Sequence, residues 1–170
     1  RYIRRNQILD YRFKSIAALI GWLLLCFIVG GMAASVSPGI DSANQIWYDN
    51  LQKPPWTPPA SWFGPVWTLL YALMGVSAWM IWNYFRMVFA RNALGHFLIQ
   101  LGLNGLWSYF FFEWQVLGWA TIEIALLLLF IAITIKKFAN LRPAAALLLI
   151  PYILWVAFAA ALTFRVWTLN

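Results

Sequence analysis

Residues 114–135 read WQVLGWATIEIALLLLFIAITI. One acid, Glu123, and one amide, Gln115, stand among otherwise apolar, small or hydroxyl-bearing residues. At about 1.5 Å per residue, a helix of this length crosses a hydrocarbon layer of about 30 Å. The run is too long for a barrel strand and does not alternate with period two. It therefore predicts a transmembrane helix. Working outward, four more segments meet the same length criterion: residues 16–36, 62–85, 93–112 and 144–167. Of these, 93–112 is the least apolar.

Composition agrees. Hydrophobic residues make up 64% of the 170-residue chain and charged residues 10%. Twelve Lys/Arg and five Asp/Glu cannot coat a soluble domain of this size. A soluble enzyme and a disordered chain are both excluded by these proportions. The expected class is an all-α integral membrane protein, one domain over residues 1–170, with five transmembrane helices.

The net charge of +7 comes from residues at the ends of the apolar runs. They form no patch of the kind that holds nucleic acid, so no nucleic-acid partner is expected. With five spans, ten basic residues fall on one side: Arg1, Arg4, Arg5, Arg12, Lys14, Arg86, Arg91, Lys136, Lys137 and Arg142. Only Lys53 and Arg165 fall on the other. This split predicts an N-terminus on the positive, cytosol-like side and a C-terminus opposite. The small residues Met32-Ala33-Ala34-Ser35 offer a leader-type cleavage site. The apolar run before them is long for a leader, and a retained first helix is the expectation.

Residues 37–61 form the one long connection. It holds two proline pairs, Pro54-Pro55 and Pro58-Pro59, around Trp56. Such pairs favour extended, semi-rigid backbone. The segment reads as a lid over one end of the bundle. Ser61 and Asn140 are candidate caps for the second and fifth helices, and Pro151 is expected to kink the fifth.

Twelve tryptophans are present. Several near segment ends fit an interfacial aromatic belt. Others share helical faces with polar or aromatic residues. Gln100, Asn104, Trp107 and Phe111 fall on one face of the third helix, and amides facing lipid would be unsatisfied, so this face turns inward. Trp67, Tyr71, Met74 and Ala78 form a stripe on the second helix, and Tyr152, Trp155, Ala159 and Leu162 on the fifth. Trp119 and Glu123 stand one turn apart on the fourth. These stripes fit either a cavity for a flat apolar ligand or a packed aromatic core. Glu123, an acid in a membrane helix, is a functional candidate or a carboxyl bonded across helices. His96 reads as interfacial. One histidine and one cysteine, Cys26, give no metal site and no intrachain disulfide. No phosphate loop, nucleophile elbow, HExxH or GxGxxG motif occurs.

The stretch Trp47-Tyr48-x-x-Leu51-Gln52-Lys53-Pro54-Pro55-Trp56-x-Pro58-Pro59, followed by Gly64-Pro65-Val66-Trp67-Thr68-Leu69-Leu70-Tyr71, resembles the translocator protein family, also called tryptophan-rich sensory protein. Leu103-Asn104-x-x-Trp107, Gly118-Trp119-Ala120 with Glu123, and Pro151-Tyr152-x-x-Trp155-x-Ala157-Phe158-Ala159 extend the match. The resemblance implies a homodimer of five-helix bundles in a lipid bilayer, each with a pocket closed by the first loop. It implies binding of tetrapyrroles such as protoporphyrin IX and of benzodiazepine- or isoquinoline-type ligands, with no required cofactor. Carried over by position, the pocket includes Trp56, Asn104, Trp107, Ser108, Trp119, Trp155, Ala159 and Leu162. Tyr71 joins them on helical periodicity alone. Trp56, Trp107 and Trp155 would stack on the macrocycle, Asn104 and Ser108 would bond its polar edge, and Lys53 would pair with its propionates.

Two alternatives accompany that receptor or translocator reading. Some family members degrade protoporphyrin IX in light, and Trp56 and Trp155 match the residues concerned, which makes them the catalytic candidates. A sensory scaffold would use residues 1–14 to dock a partner. The cholesterol-recognition pattern of animal members is broken here, with Phe164 in place of its tyrosine, so cholesterol is not the expected ligand.

Overall fold

The computed structural model describes residues 2–83 and 87–170, with the side chains of 12–83 and 89–170. Phe85 and Arg86, and the side chains of Arg1, Arg4 and Arg5, lie outside the described residues. Helix α1 runs Tyr2–Ser35 and α2 Ser42–Asn50. One 3-10 turn, Ala60–Trp62, leads into α3, Phe63–Trp82. Then come α4, Met87–Ser108, and α5, Leu117–Leu141. The last two are α6, Pro143–Leu148, and α7, Ile150–Leu169. The described residues contain no strand.

Four stretches are long and apolar enough to cross a membrane: Arg12–Ser35, Ala60–Trp82, Leu117–Leu141 and Pro143–Leu169. They correspond to four of the five segments expected from sequence. The remaining one, α4, carries Arg91, Asn92, His96, Gln100 and Asn104, which lower its hydropathy.

The helices close into a ring. α1 packs on α3 and α4, α3 packs on α6, and α5 packs on α4, α6 and α7. Two glycines set the closest approach. A Cβ on Gly30 would lie 2.6 Å from the Tyr71 ring, and one on Gly75 would lie 2.8 Å from Leu23. Polar pins fix the register. Ser77 Oγ donates to the Ala145 carbonyl at 2.7 Å, tying α3 to α6. Trp79 Nε1 donates to the Ser15 carbonyl at 2.9 Å, tying α3 to α1. Lys137 Nζ donates to Asn92 Oδ1 at 2.7 Å, tying α5 to α4.

The outer surface is apolar. On α1, Ile16, Ile20, Leu24 and Ile28 recur at one-turn spacing and are all exposed. A water-facing helix carries polar groups there; a lipid-facing one does not.

Several boundaries differ from the sequence expectation, each for a local reason. The connection 37–61 is not structureless. Asp41 caps α2, accepting from Ala43 N at 2.9 Å and Asn44 N at 3.0 Å. The expected caps do not act: no side chain caps α3 at Trp62, and Asn140 lies inside α5. α4 ends in a wider, π-type turn, Tyr109–Glu113, in which Trp114 N bonds Tyr109 O at 2.8 Å. Gln115 follows with φ 57°, the left-handed conformation that stops a helix. α5 therefore begins at Leu117 rather than 114. It runs on through Lys136 and Lys137, because nothing breaks it before Pro143. Pro151 interrupts the last segment as expected. Its missing N–H and its ring disturb the preceding turn, and the break falls at Leu149, between α6 and α7.

Candidate functional site

The segment after α2 is held by two side chains. The Lys53 ammonium donates to the carbonyls of Tyr48, Asp49 and Leu51, and lies 4.5 Å from the Tyr48 ring centroid. It thus satisfies the C-terminal carbonyls of α2. Burial, with the Asp49 carboxylate, pushes the Tyr48 phenol above its usual pKa. Asn170 makes a reciprocal pair with Gln52: its Oδ1 accepts from Gln52 N at 2.9 Å and its Nδ2 donates to Gln52 O at 3.0 Å. The loop is thereby fastened to the end of α7. Thr57 then turns the chain, its N and Oγ1 both donating to the Pro54 carbonyl.

This anchoring leaves a cleft of about 480 Å³ between the proline segment and α7. Pro55, Trp56, Thr57, Pro58, Pro59 and Trp62 line one side, and Trp155 and Phe158 the other. Trp56 is 45% exposed. Its ring meets Phe158 edge-on at 5.7 Å, and Trp155 meets Phe158 at 5.7 Å and Phe63 at 6.0 Å. Rings and proline faces dominate the walls.

The interior behind it is different. Tyr71 Oη donates to Asn104 Oδ1. Asn104 Nδ2 donates to Tyr152 Oη at 3.0 Å, and Tyr152 Oη donates to Gln100 Oε1 at 2.7 Å. All four residues are buried. The chain of bonds links α3, α4 and α7 and uses both ends of the Asn104 amide. Beside it lies a void of only about 10 Å³, lined by Trp67, Asn104, Trp107, Ile124, Leu127, Val156 and Ala159. That is about one water's worth of space. Of the two arrangements the stripes allowed, the interior has the packed one.

The expected site residues therefore divide. Trp56 and Trp155 line the cleft. Asn104, Trp107 and Ala159 line the void, and Tyr71 is tied to Asn104. Ser108 is buried at the end of α4. Leu162 packs deeper, in a second cluster with Phe111, Ala120 and Val166. Trp119 joins none of these groups. It is 63% exposed on the outer face of α5, and Ala120 and Glu123 take the inward positions. The spacing of Trp119 and Glu123 allowed both on one face, but the buried stripe of α5 centres on Ala120, Ile124 and Leu127, which turns Trp119 out. Phe158 and Trp62 belong to the cleft and were not foreseen. Phe158 stands three residues after Trp155, a helical neighbour that the motif itself displays. Among the described residues, no three His, Cys, Asp or Glu side chains gather to hold a metal ion.

Comparison with known proteins bears on this geometry. The model of the TspO/MBR family matches residues 21–168. The chain is similar to the translocator protein of Bos taurus, with 37% identity over 154 residues and 89% of each chain covered. It is similar to tryptophan-rich protein TspO of Chlorobaculum tepidum, with 37% identity over 158 residues, 92% of this chain and 98% of the relative. Protein CrtK of Rhodobacter capsulatus is 34% identical over 151 residues, 88% of this chain and 90% of the relative. The match runs from within α1 to the last turn of α7 and takes in the cleft, the void and every helix around them, so the chain belongs to the TspO/MBR family of membrane proteins.

Proposed function

We propose that the chain is a membrane receptor or translocator-type protein that takes flat tetrapyrroles, protoporphyrin IX among them, and benzodiazepine- or isoquinoline-type ligands through the cleft beside the proline segment. The observation that carries this reading is the cleft itself. Its volume of about 480 Å³ lies within the range of roughly 300–1,000 Å³ usual for small-molecule sites. The rings of Trp56, Trp155 and Phe158 offer stacking surface there. The proline segment acts as a lid. Asn104, Trp107, Ser108, Ala159 and Leu162 form the deep wall, which a ligand reaches when the Trp155 side of the cleft yields.

The membrane arrangement belongs to the same proposal. α4 has 22 residues, about 33 Å of helix, and turns its amides inward, so it serves as the fifth span. The N-terminus then lies on the positive side, and the chain works as a homodimer.

Titration of the purified protein with protoporphyrin IX, followed by quenching of tryptophan fluorescence, tests the reading. Saturable binding weakened by Trp56→Phe with Trp155→Phe is the expected result. Equal affinity in the double variant would place the ligand elsewhere.

A second reading is favoured by Trp56 and Trp155 lining one cleft. A light-excited macrocycle between them would take one electron from an indole; dissolved dioxygen, the oxidant, would then add to the porphyrin radical anion, the electron would return to the indole radical cation, and both oxygen atoms would end in the carbonyls of a cleaved methine bridge. Loss of the porphyrin absorption band in light but not in darkness, abolished by Trp155→Phe, would support this degradation. A rate equal to that with free tryptophan would remove it.

A further inference from the structure

The two ends of the bundle differ in charge. At the end away from the cleft, Trp22 of α1 meets Trp82 of α3 and Phe97 of α4, and Phe97 stacks on Phe138 of α5. Four helices thus meet there. The described charged side chains at this end are Arg12, Lys14, Arg91, Lys136, Lys137 and Arg142, all basic. The acids with described side chains lie elsewhere. Asp41 caps α2, Asp49 lies in its last turn, Glu113 ends the π-type turn, and Glu123 is buried along α5. The side chain of Asp10, on α1, falls outside the described residues.

The seam between α4 and α5 gathers these cations most tightly. The bond from Lys137 Nζ to Asn92 Oδ1, 2.7 Å long, ties the two helices. Arg91 adjoins Asn92 and Lys136 adjoins Lys137, so one contact holds both neighbours beside the same seam. Arg91, Lys136 and Arg142 are exposed, and their charged groups have no hydrogen bond or ion pair among the described residues. Apolar side chains continue the line of each charge away from this end. Leu98 is exposed two turns after Arg91 on the same face of α4, and Leu129 two turns before Lys136 on α5. Arg12 heads Ile16 and Ile20 on α1 in the same way.

We propose that the basic end of the α4–α5 seam is a docking site for an anionic phospholipid. Its phosphate lies between Arg91 and Lys136, with Arg142 nearby, and its chains follow the stripes of Leu98 and Leu129. Charge complementarity supports the headgroup: a guanidinium takes two phosphate oxygens and an ammonium adds a compact charge. Basic sites between membrane helices hold anionic headgroups by this chemistry. The stripes support a lipid as the occupant. An acidic protein or a free phosphate would meet the charges and leave the apolar residues beside them uncovered. A zwitterionic lipid brings its own cation, which the basic end repels. The site does not depend on what the cleft takes.

The test uses the purified full chain in detergent with equal amounts of phosphatidylglycerol and phosphatidylcholine carrying the same chains, and reads the lipids retained by native mass spectrometry. The wild type is expected to retain phosphatidylglycerol about tenfold over phosphatidylcholine. Arg91→Gln with Lys136→Gln is expected to bring the ratio near one, while Arg165→Gln, at the opposite end, leaves it unchanged. Arg91→Lys with Lys136→Arg keeps both charges and is expected to keep most of the preference. Equal retention of the two lipids by the wild type would overturn the proposal, as would an unchanged ratio in the double glutamine variant. Loss of the preference in the charge-keeping variant, or its removal by millimolar inorganic phosphate at constant ionic strength, would overturn it too: the first because charge would not be the cause, the second because the site would take free phosphate.

Discussion

The cleft and the interior lie on either side of Trp155, and they are built on opposite rules. The cleft owes its shape to a loop fastened at two points, by Lys53 on the end of α2 and by Asn170 on Gln52. Its walls are mainly aromatic rings and proline faces, with the Trp155 indole N–H unpartnered among them. The interior owes its shape to helix register, and its Tyr71–Asn104–Tyr152–Gln100 chain leaves space for about one water. Aromatic stripes on helices therefore do not by themselves make a cavity: where amides and phenols can bond one another, the stripes close. The open volume lies where proline keeps the backbone from doing so.

The difference is open to attack from both sides. Asn104→Leu should have the largest effect on stability. It strands the Tyr71 hydroxyl, a buried group costing about 1–3 kcal/mol when unmade, and takes from Tyr152 the donor to its oxygen while leaving its bond to Gln100. Thermal unfolding in detergent should show the loss as a clear drop in Tm, and an unchanged Tm would mean that the network does not hold the interior shut. Trp56→Phe with Trp155→Phe should do the converse. About 1.4 kcal/mol of lost stacking is a tenfold loss of affinity, with little change in Tm.

Weaker effects sharpen the comparison. Asn170→Ala removes the reciprocal pair with Gln52, and Asp41→Ala removes the cap of α2. Each should cost about 1 kcal/mol, seen as faster amide exchange in the loop and not in the helices. Exchange spread equally over α3 and α7 would show that the loop is not a separate unit. Smallest of all is Trp119→Phe. Its outward position predicts less than a twofold change in porphyrin affinity. A large loss would return Trp119 to the site.

Much of the fold was legible because its signals are long. Four apolar runs and the inward face of Gln100, Asn104, Trp107 and Phe111 needed only periodicity and the cost of amides in lipid. Pro151 announced the break before α7. Short-range features were harder. α2 depends on one carboxylate, Asp41, in a segment dominated by prolines, and the π-type turn at Tyr109–Glu113 has no periodic signature. Within the site, Trp56 and Trp155 were readable from the resemblance, but their separation from Asn104 and Trp107 was not. Spacing places side chains on a face; it does not say whether opposing faces meet. The placements of Lys53 and Trp119 were not readable for the same reason: Lys53 turns back onto the end of α2, and Trp119 turns outward although its one-turn spacing from Glu123 allowed a shared inward face.

The most direct measurement is hydrogen–deuterium exchange of the purified protein with and without protoporphyrin IX. Ligand-dependent protection of residues 51–62, around Trp56, together with the turn of α7 carrying Trp155 and Phe158, is the predicted result. Protection confined to the outer face of α5 around Trp119, with the proline segment unchanged, would contradict a ligand site in the cleft.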